Sequence, residues 1–128
     1  MHLNVQTSPG EFLDKLTILE IKSERVTDPA KLANVRRELA LLRAAWAASP
    51  LAARDIEDLL ATLKGVNEAL WETEDRLRAL EAEGRFDGEF VELARSVYRT
   101  NDRRAAIKRE LNLRLGSDLI EEKSYPEY

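Results

Sequence analysis

The chain has 128 residues, enough for one domain with its own core. Hydrophobic residues make up 44% and charged residues 34%, a balance that favours a helical bundle over disorder. The absence of Cys excludes disulfides and a Cys nucleophile, and the single His, His2, argues against imidazole catalysis and metal binding.

Charge and hydropathy narrow the function classes further. No apolar run approaches the ~20 residues of a membrane span, and the N-terminal stretch lacks the basic and apolar regions of a signal peptide. We therefore expect a cytoplasmic protein with no cofactor and no metal site. The net charge of −4 argues against general nucleic-acid binding. Residues 94–115, with seven cations and two acids, carry +5, and we expect this run to be a solvated face paired with its neighbours.

The first helix has a strong start signal. In Ser8-Pro9-Gly10-Glu11, Ser is a preferred N-cap, Pro suits the first turn, and Glu follows the cap by three residues. The helix should run to about Val26. At ~100° per residue, Ile18 and Ile21 lie opposite its Phe12 face. A helix that is apolar on two sides is expected to be sandwiched in the bundle or covered by a second subunit.

Two further helices should follow. Asp28 is the expected N-cap of helix 2, whose apolar residues repeat at spacings of three and four as far as Trp46. Ser49-Pro50 breaks the chain and should begin helix 3, which is expected to continue to about Glu83. A helix of ~33 residues would span roughly 50 Å.

The segment 54–115 carries two long heptad patterns separated by a break at Glu83–Asp87, with Gly84 as the expected C-cap. Two striped helices joined by a short turn should fold back as an antiparallel hairpin. The sequence therefore predicts an all-α fold, a single four-helix domain over residues 1–128 built on this hairpin. The tail comprises residues 117–128, and we expect residues 117–125 to pack on the bundle with a carboxylate near a helix 4 cation.

The apolar stripe of helix 4 is interrupted by polar and charged residues at positions 101, 104 and 108. Counting back from the turn puts position 74 beside 97, 70 beside 101 and 67 beside 104, which makes Glu74 the nearest carboxylate to Arg104. A buried charge must be paired, hydrated or bound to a ligand. The candidate ligand-binding residues of this polar band are Asn67, Trp71, Glu74, Asn101, Arg104 and Lys108, and Glu20 of helix 1 is a possible addition.

The band has two interpretations. It is either a closed polar network that fixes the helix register, or a pocket whose cations face an anionic small molecule. The second resembles in style the chorismate mutases, which hold a dicarboxylate with cationic side chains, although their motifs do not align here. Glu72–Asp75 and Glu89–Glu92 resemble the magnesium motifs of all-α nucleotide pyrophosphohydrolases only in reverse order, and a solvated face explains them better. No catalytic residue is assigned.

Several stretches carry a family resemblance. They are Glu11–Arg25 (EFLDKLTILEIKSER), Phe90–Tyr98 (FVELARSVY) and Glu121–Tyr125 (EEKSY). Together they resemble an uncharacterised family of short bacterial helical proteins along nearly the whole chain. The resemblance implies a bacterial, cytoplasmic, single-domain protein and a setting beside glycosyltransferases of surface-polysaccharide assembly, and it implies no catalytic residue.

Two functions of different classes remain, with nucleic-acid binding through helix 4 as a weaker third. The first is a non-enzymatic helical adaptor or accessory protein that acts through its surface. The second is a small all-α enzyme or ligand-binding protein that holds an anionic molecule in the polar band. In either case we expect a homodimer, because two shorter helices leave the flanks of a long hairpin uncovered.

Overall fold

The computed structural model describes residues 1–128. It contains four α-helices and no strand: α1 (Pro9–Arg25), α2 (Pro29–Ala48), α3 (Glu57–Ala82) and α4 (Gly88–Arg114). α3 and α4 pack along each other as a hairpin, which confirms the predicted all-α fold. None of the four helices combines the length and the apolar character that a membrane span requires.

Local sequence signals set most of the helix boundaries. Side chains cap α1, α2 and α4, the first two as expected, and each accepts a hydrogen bond from a backbone N–H of the first turn. These N-caps are Ser8, Asp28 and Asp87. At the hairpin turn Gly84 has a φ of 67°, a conformation that Gly adopts without strain.

The start of α3 differs from the prediction. The chain after Ser49 forms a short 3-10 turn, Pro50–Ala53, and α3 begins only at Glu57. The hairpin helix therefore has 26 residues and a length of about 39 Å, not the expected 50 Å. The physical reason is that α2 lies outside the hairpin layer, so the chain has to change direction before α3 can begin.

The helices form layers. The α3–α4 hairpin is the base layer, α1 packs on both of its helices, and the backbone of α2 lies only against α1 and the 3-10 turn. α1 is thus sandwiched within the subunit, which is the first of the two arrangements expected from its sequence. Ile21 is 1% exposed, while Ile18 is half-buried.

The core is concentrated where α1 crosses the hairpin. Twelve buried apolar residues form one cluster there, in which Leu70 and Ile107 are the members nearest the hairpin turn. Beyond them no third helix packs on the hairpin, and the end of the tail lies against α4 at residues 97–102. We call residues 71–101 the arm; its one buried residue is Leu80. The arm has no third helix to cover it.

The C-terminal tail returns along α4. Glu121 accepts a hydrogen bond from Lys108 at 3.1 Å, and Glu122 accepts one from Arg109 at 2.9 Å. Tyr128 donates its hydroxyl hydrogen to Asp102. The expected contact between a tail carboxylate and a helix 4 cation is confirmed.

The start of α1 approaches α4 very closely. The Gly10 N–H donates to the Asn112 side-chain oxygen at 2.7 Å. A Cβ at Gly10 would stand 2.4 Å from the Lys108 carbonyl oxygen. Because that oxygen belongs to the backbone, it cannot move aside, and α1 can reach this position only with a hydrogen at residue 10.

Gly10→Ala should therefore destabilise the protein by about 1–3 kcal/mol, the usual range for overpacking. Gly65→Ala is the matched control, because Gly65 lies inside α3 with nothing within 4 Å of the added Cβ. It should stabilise the protein by roughly 1 kcal/mol through helix propensity. Urea melts of both variants measure the difference, and equal effects would contradict the close approach.

Candidate functional site

The six predicted band residues separate into two groups. Asn67, Arg104 and Lys108 lie beneath α1 and are joined to it by hydrogen bonds. Trp71, Glu74 and Asn101 lie nearer the hairpin turn. The lower group forms a polar network, and the upper group belongs to the arm; one hydrogen bond joins them, from Arg104 Nη1 to Asn101 Oδ1 at 3.4 Å.

The centre of the network is an ion pair between α1 and α4. The side chain of Asp14 is 2% exposed, and Arg104 binds its carboxylate with two N–H groups of the guanidinium. The Nε donates to Oδ1 at 2.9 Å and the Nη2 donates to Oδ2. These bonds outweigh burial and raise the pKa of Arg104, so the guanidinium stays charged. The predicted partner, Glu74, is wrong; it is exposed and forms no ion pair with Arg104.

α3 enters the network through an amide. The Nδ2 of Asn67 donates to Asp14 Oδ1 at 2.9 Å and approaches the Thr17 hydroxyl oxygen at 3.0 Å. Thr17 in turn donates to the Asp14 carbonyl oxygen at 2.8 Å. The network therefore joins α1, α3 and α4 in one buried layer.

Lys108 completes the network on the tail side. Its Nζ donates to Glu11 Oε2 at 2.6 Å and to Glu121 Oε2 at 3.1 Å, and it lies 4.0 Å from Asp14 Oδ2. Burial alone would lower the pKa of the ammonium, but its bonds with Glu11 and Glu121 outweigh that effect and raise it. One cation thus links α1, α4 and the tail.

The network is chemically saturated. No buried side-chain nitrogen or oxygen of the chain lacks a hydrogen-bond partner. Asp14 is surrounded by donors, and the amino group of Lys108 is shared by two carboxylates. Such groups hold helices in position; they present no unpaired charge to a ligand.

The upper group continues the same helix faces beyond α1. Residues seven apart lie on one side of a helix. The equivalent position one heptad nearer the turn is Glu74 for Asn67 on α3, and Asn101 for Lys108 on α4. Trp71 and Asn101 are half-buried and Glu74 is exposed, because no helix covers this part of the hairpin and the tail borders it only beside α4.

A cleft lies between the tail and α4. It has a volume of about 620 Å³ and is lined by α4 residues 97–102 and by the last part of the tail. The rings of Tyr98 and Tyr128 meet edge to face, with centroids 5.1 Å apart. Asn101 is the one predicted site residue that borders it.

The cationic run of helix 4 is largely neutralised, as expected. Five of its seven cations form ion pairs with carboxylates of the chain. Arg99 and Arg103 form no ion pair. Two exposed arginines on an acidic chain make a poor surface for the phosphate backbone of a nucleic acid.

Sequence reasoning missed the carboxylates that hold the band. Asp14 and Glu11 were not assigned to it, because they lie on α1, remote in sequence from the hairpin; the contact of a tail carboxylate with a helix 4 cation was expected, but it was not placed in the band. For Asp14 a signal exists: it precedes Ile21 by seven residues, and Ile21 belongs to an apolar side of α1. A charged residue in line with such a side predicts a buried partner.

Comparisons with known proteins identify a family but no activity. The sequence model of a family of unknown function, DUF6165, matches residues 3–127. No curated protein and no solved structure matches the chain.

Removing the Arg104 side chain should lower the free energy of unfolding, because the buried carboxylate of Asp14 loses the cation that it pairs with. Arg104→Met leaves Asp14 buried with one amide donor, and unfolding measurements should show a loss of about 3 kcal/mol. Adding Asp14→Leu should recover most of it in a double-mutant cycle. Arg103→Met, which removes an exposed arginine that forms no ion pair, is the control and should change stability by less than about 0.5 kcal/mol. An Arg104→Met variant as stable as this control would contradict a closed network.

The tail contact should respond to acid. The hydrogen bond from Lys108 lowers the pKa of Glu121 below its ordinary 4.5. Its contribution to stability is therefore complete above pH 4.5 and is lost as the pH falls through the lowered pKa. In Lys108→Met, an NMR titration should show the Glu121 midpoint rising, whereas Arg109→Met should leave it in place. An identical midpoint in the wild type and in Lys108→Met would contradict the contact.

Proposed function

Because the chain belongs to a family of unknown function, DUF6165, we infer its role from its own structure. We propose that it is a non-enzymatic helical accessory protein that acts by binding protein chains through its surface. One observation carries this proposal: carboxylates of the chain itself hold both inward cations of the polar band, Arg104 and Lys108.

The argument from charge is direct. An anionic ligand in the band would have to displace Asp14 from Arg104, and Asp14 would then remain buried with Lys108, 4.0 Å from its Oδ2, as its one nearby cation. Removing one member of a buried ion pair costs about 3–5 kcal/mol. A binding site for anions would instead hold its cations unpaired and open to solvent.

The proposed setting is the cytoplasm of a bacterium. The chain has no Cys, which suits a reducing compartment. The resemblance of its N-terminal and C-terminal stretches to short bacterial helical proteins supports the bacterial origin. The same resemblance supports a link to surface-polysaccharide assembly, in which an accessory protein would bind a component of that machinery.

A homodimer is part of the proposal. The subunit buries only 21 of its 128 residues, and the arm contributes one of them. Packing another chain against the half-buried apolar side chains of the arm removes them from water, which is favourable. A second copy is the partner that is present wherever the protein is made.

The second candidate is a ligand-binding protein, with the tail cleft as its site. The observation in its favour is a space of about 620 Å³, which is within the range of small-molecule pockets. Asn101 and Tyr98 offer a polar group and an aromatic wall. Tyr98 is 43% exposed and Tyr128 is 74% exposed, so the walls are open, and we rank this function second.

Anion titrations distinguish the two candidates. Inorganic phosphate and succinate, added to the intact protein and followed by calorimetry and NMR, should show no saturable binding. Saturable binding that Arg104→Met abolishes would overturn the accessory role and restore the anion pocket. Binding that Asn101→Ala abolishes, and Arg104→Met does not, would favour the cleft.

A further inference from the structure

The arm has a face that no helix covers and whose composition is acidic and apolar; the tail borders it at Val97 and Asn101. The face continues, toward the hairpin turn, the positions on which α1 lies. We call this set the arm face. Its residues are Trp71, Glu74, Arg78 and Glu81 on α3, and Phe90, Ala94, Val97 and Asn101 on α4.

The heptad spacing explains why these residues share one side. Asn67 and Arg104 contact α1 through Asp14. Glu74 and Glu81 follow Asn67 at intervals of seven, and Val97 precedes Arg104 by seven, which keeps each set on one side of its helix. The surface that receives α1 at the base is therefore repeated on the arm with no helix upon it.

The charge of the arm is negative. Residues 71–101 hold eight acids and five cations, a net charge of −3. Several of these charges are neutralised within the arm, for example by the ion pair of Arg76 with Glu89. Glu74 and Glu81 form no ion pair and are exposed. Arg78 is the one cation on the arm face.

α2 has the opposite character. It carries four cations and one acid, a net charge of +3, in a chain whose total is −4. Its one acid, Glu38, is paired with Lys15. The four cations, none of which forms an ion pair, are Lys31, Arg36, Arg37 and Arg43.

Two of these cations border an open groove. Arg36 and Arg43 flank Ala40 in a groove of about 410 Å³ between α2 and the end of α1. They are seven residues apart, as are Glu74 and Glu81, so each pair spans about 10.5 Å along its helix. The small side chain of Ala40 leaves room for a bulky group such as Trp71 or Phe90.

From this complementarity we propose that the arm face binds the Arg36–Arg43 face of α2 in a second copy of the chain, reciprocally, in a twofold dimer. The inference rests on the homodimer of the proposed function and names its surfaces. α1, with α2 packed on it, covers the base half of the hairpin and leaves the arm half without a covering helix. Each subunit is therefore thicker at the base than along the arm. When two copies face each other in opposite directions, α2 of each subunit lies over the arm of the other, and both subunits supply both surfaces.

Charge reversal tests this arrangement. The first variant is Arg36→Glu/Arg43→Glu, and the second is Glu74→Lys/Glu81→Lys. In each, both contacts of the dimer bring like charges together, and we expect dimerisation about a hundredfold weaker by sedimentation at micromolar concentration. All four residues are exposed, and circular dichroism melts confirm that each variant is folded.

Mixing the two variants is the decisive measurement. In the mixed dimer the acidic α2 of one subunit meets the basic arm of the other, and the unaltered α2 meets the unaltered arm. The heterodimer should form with nearly wild-type affinity, and a chain carrying all four reversals should dimerise with itself. The control, Arg99→Glu/Arg103→Glu, changes the net charge as the first variant does and should dimerise normally.

The possible negative results show whether the homodimer itself or only this interface is wrong. A wild-type chain that sediments as a monomer overturns the homodimer and this interface together, while the accessory role rests on the anion titrations. Dimers that persist in both reversed variants overturn the interface alone. Reversed variants that are monomeric and stay so when mixed also overturn the reciprocal arrangement.

Discussion

The ion pair between Asp14 and Arg104 determines how the first helix sits on the hairpin. A buried ion pair adds little net stability compared with apolar residues of the same size, because both charges lose their water. Its effect is positional. A shift of α1 by one turn, ~5.4 Å, would separate Asp14 from Arg104 and leave two charges unmatched. The network with Asn67 and Thr17 adds a third helix to the same constraint.

The neighbouring contacts act in the same direction. At Gly10 the α1 backbone meets the α4 backbone, and the Asn112 side chain accepts the N–H that the first turn leaves free. Lys108 then ties the start of α1 to the returning tail through Glu11 and Glu121. These polar contacts all lie at the base of the hairpin, so α1 is held there and the arm remains without cover.

The hairpin could be predicted from the sequence because its signals are local. Heptad spacing, the turn at Gly84 and the cap at Asp87 each determine the structure of residues only a few positions away in the sequence. The late start of α3 could not be predicted in this way, since it depends on α2 lying in another layer. The partner of Arg104 is 90 residues away in sequence. Periodicity shows that Arg104 faces inward, but it cannot show which helix lies opposite. For the same reason, the band appeared to be one site when α1 in fact covers only half of it.

A heptad pattern repeats one surface along a helix, whether or not anything covers it. At the base that surface is closed by α1, and along the arm it is open. Exposed ion pairs such as Arg76–Glu89 add little stability, and Leu80 is the arm's one buried residue. The arm is therefore the least stabilised part of the hairpin, and a chain that binds it shifts the equilibrium toward its ordered state by mass action. The free energy for such binding comes from half-buried apolar groups that the subunit itself leaves wet, which is the physical reason to look for the partner of this protein on the arm.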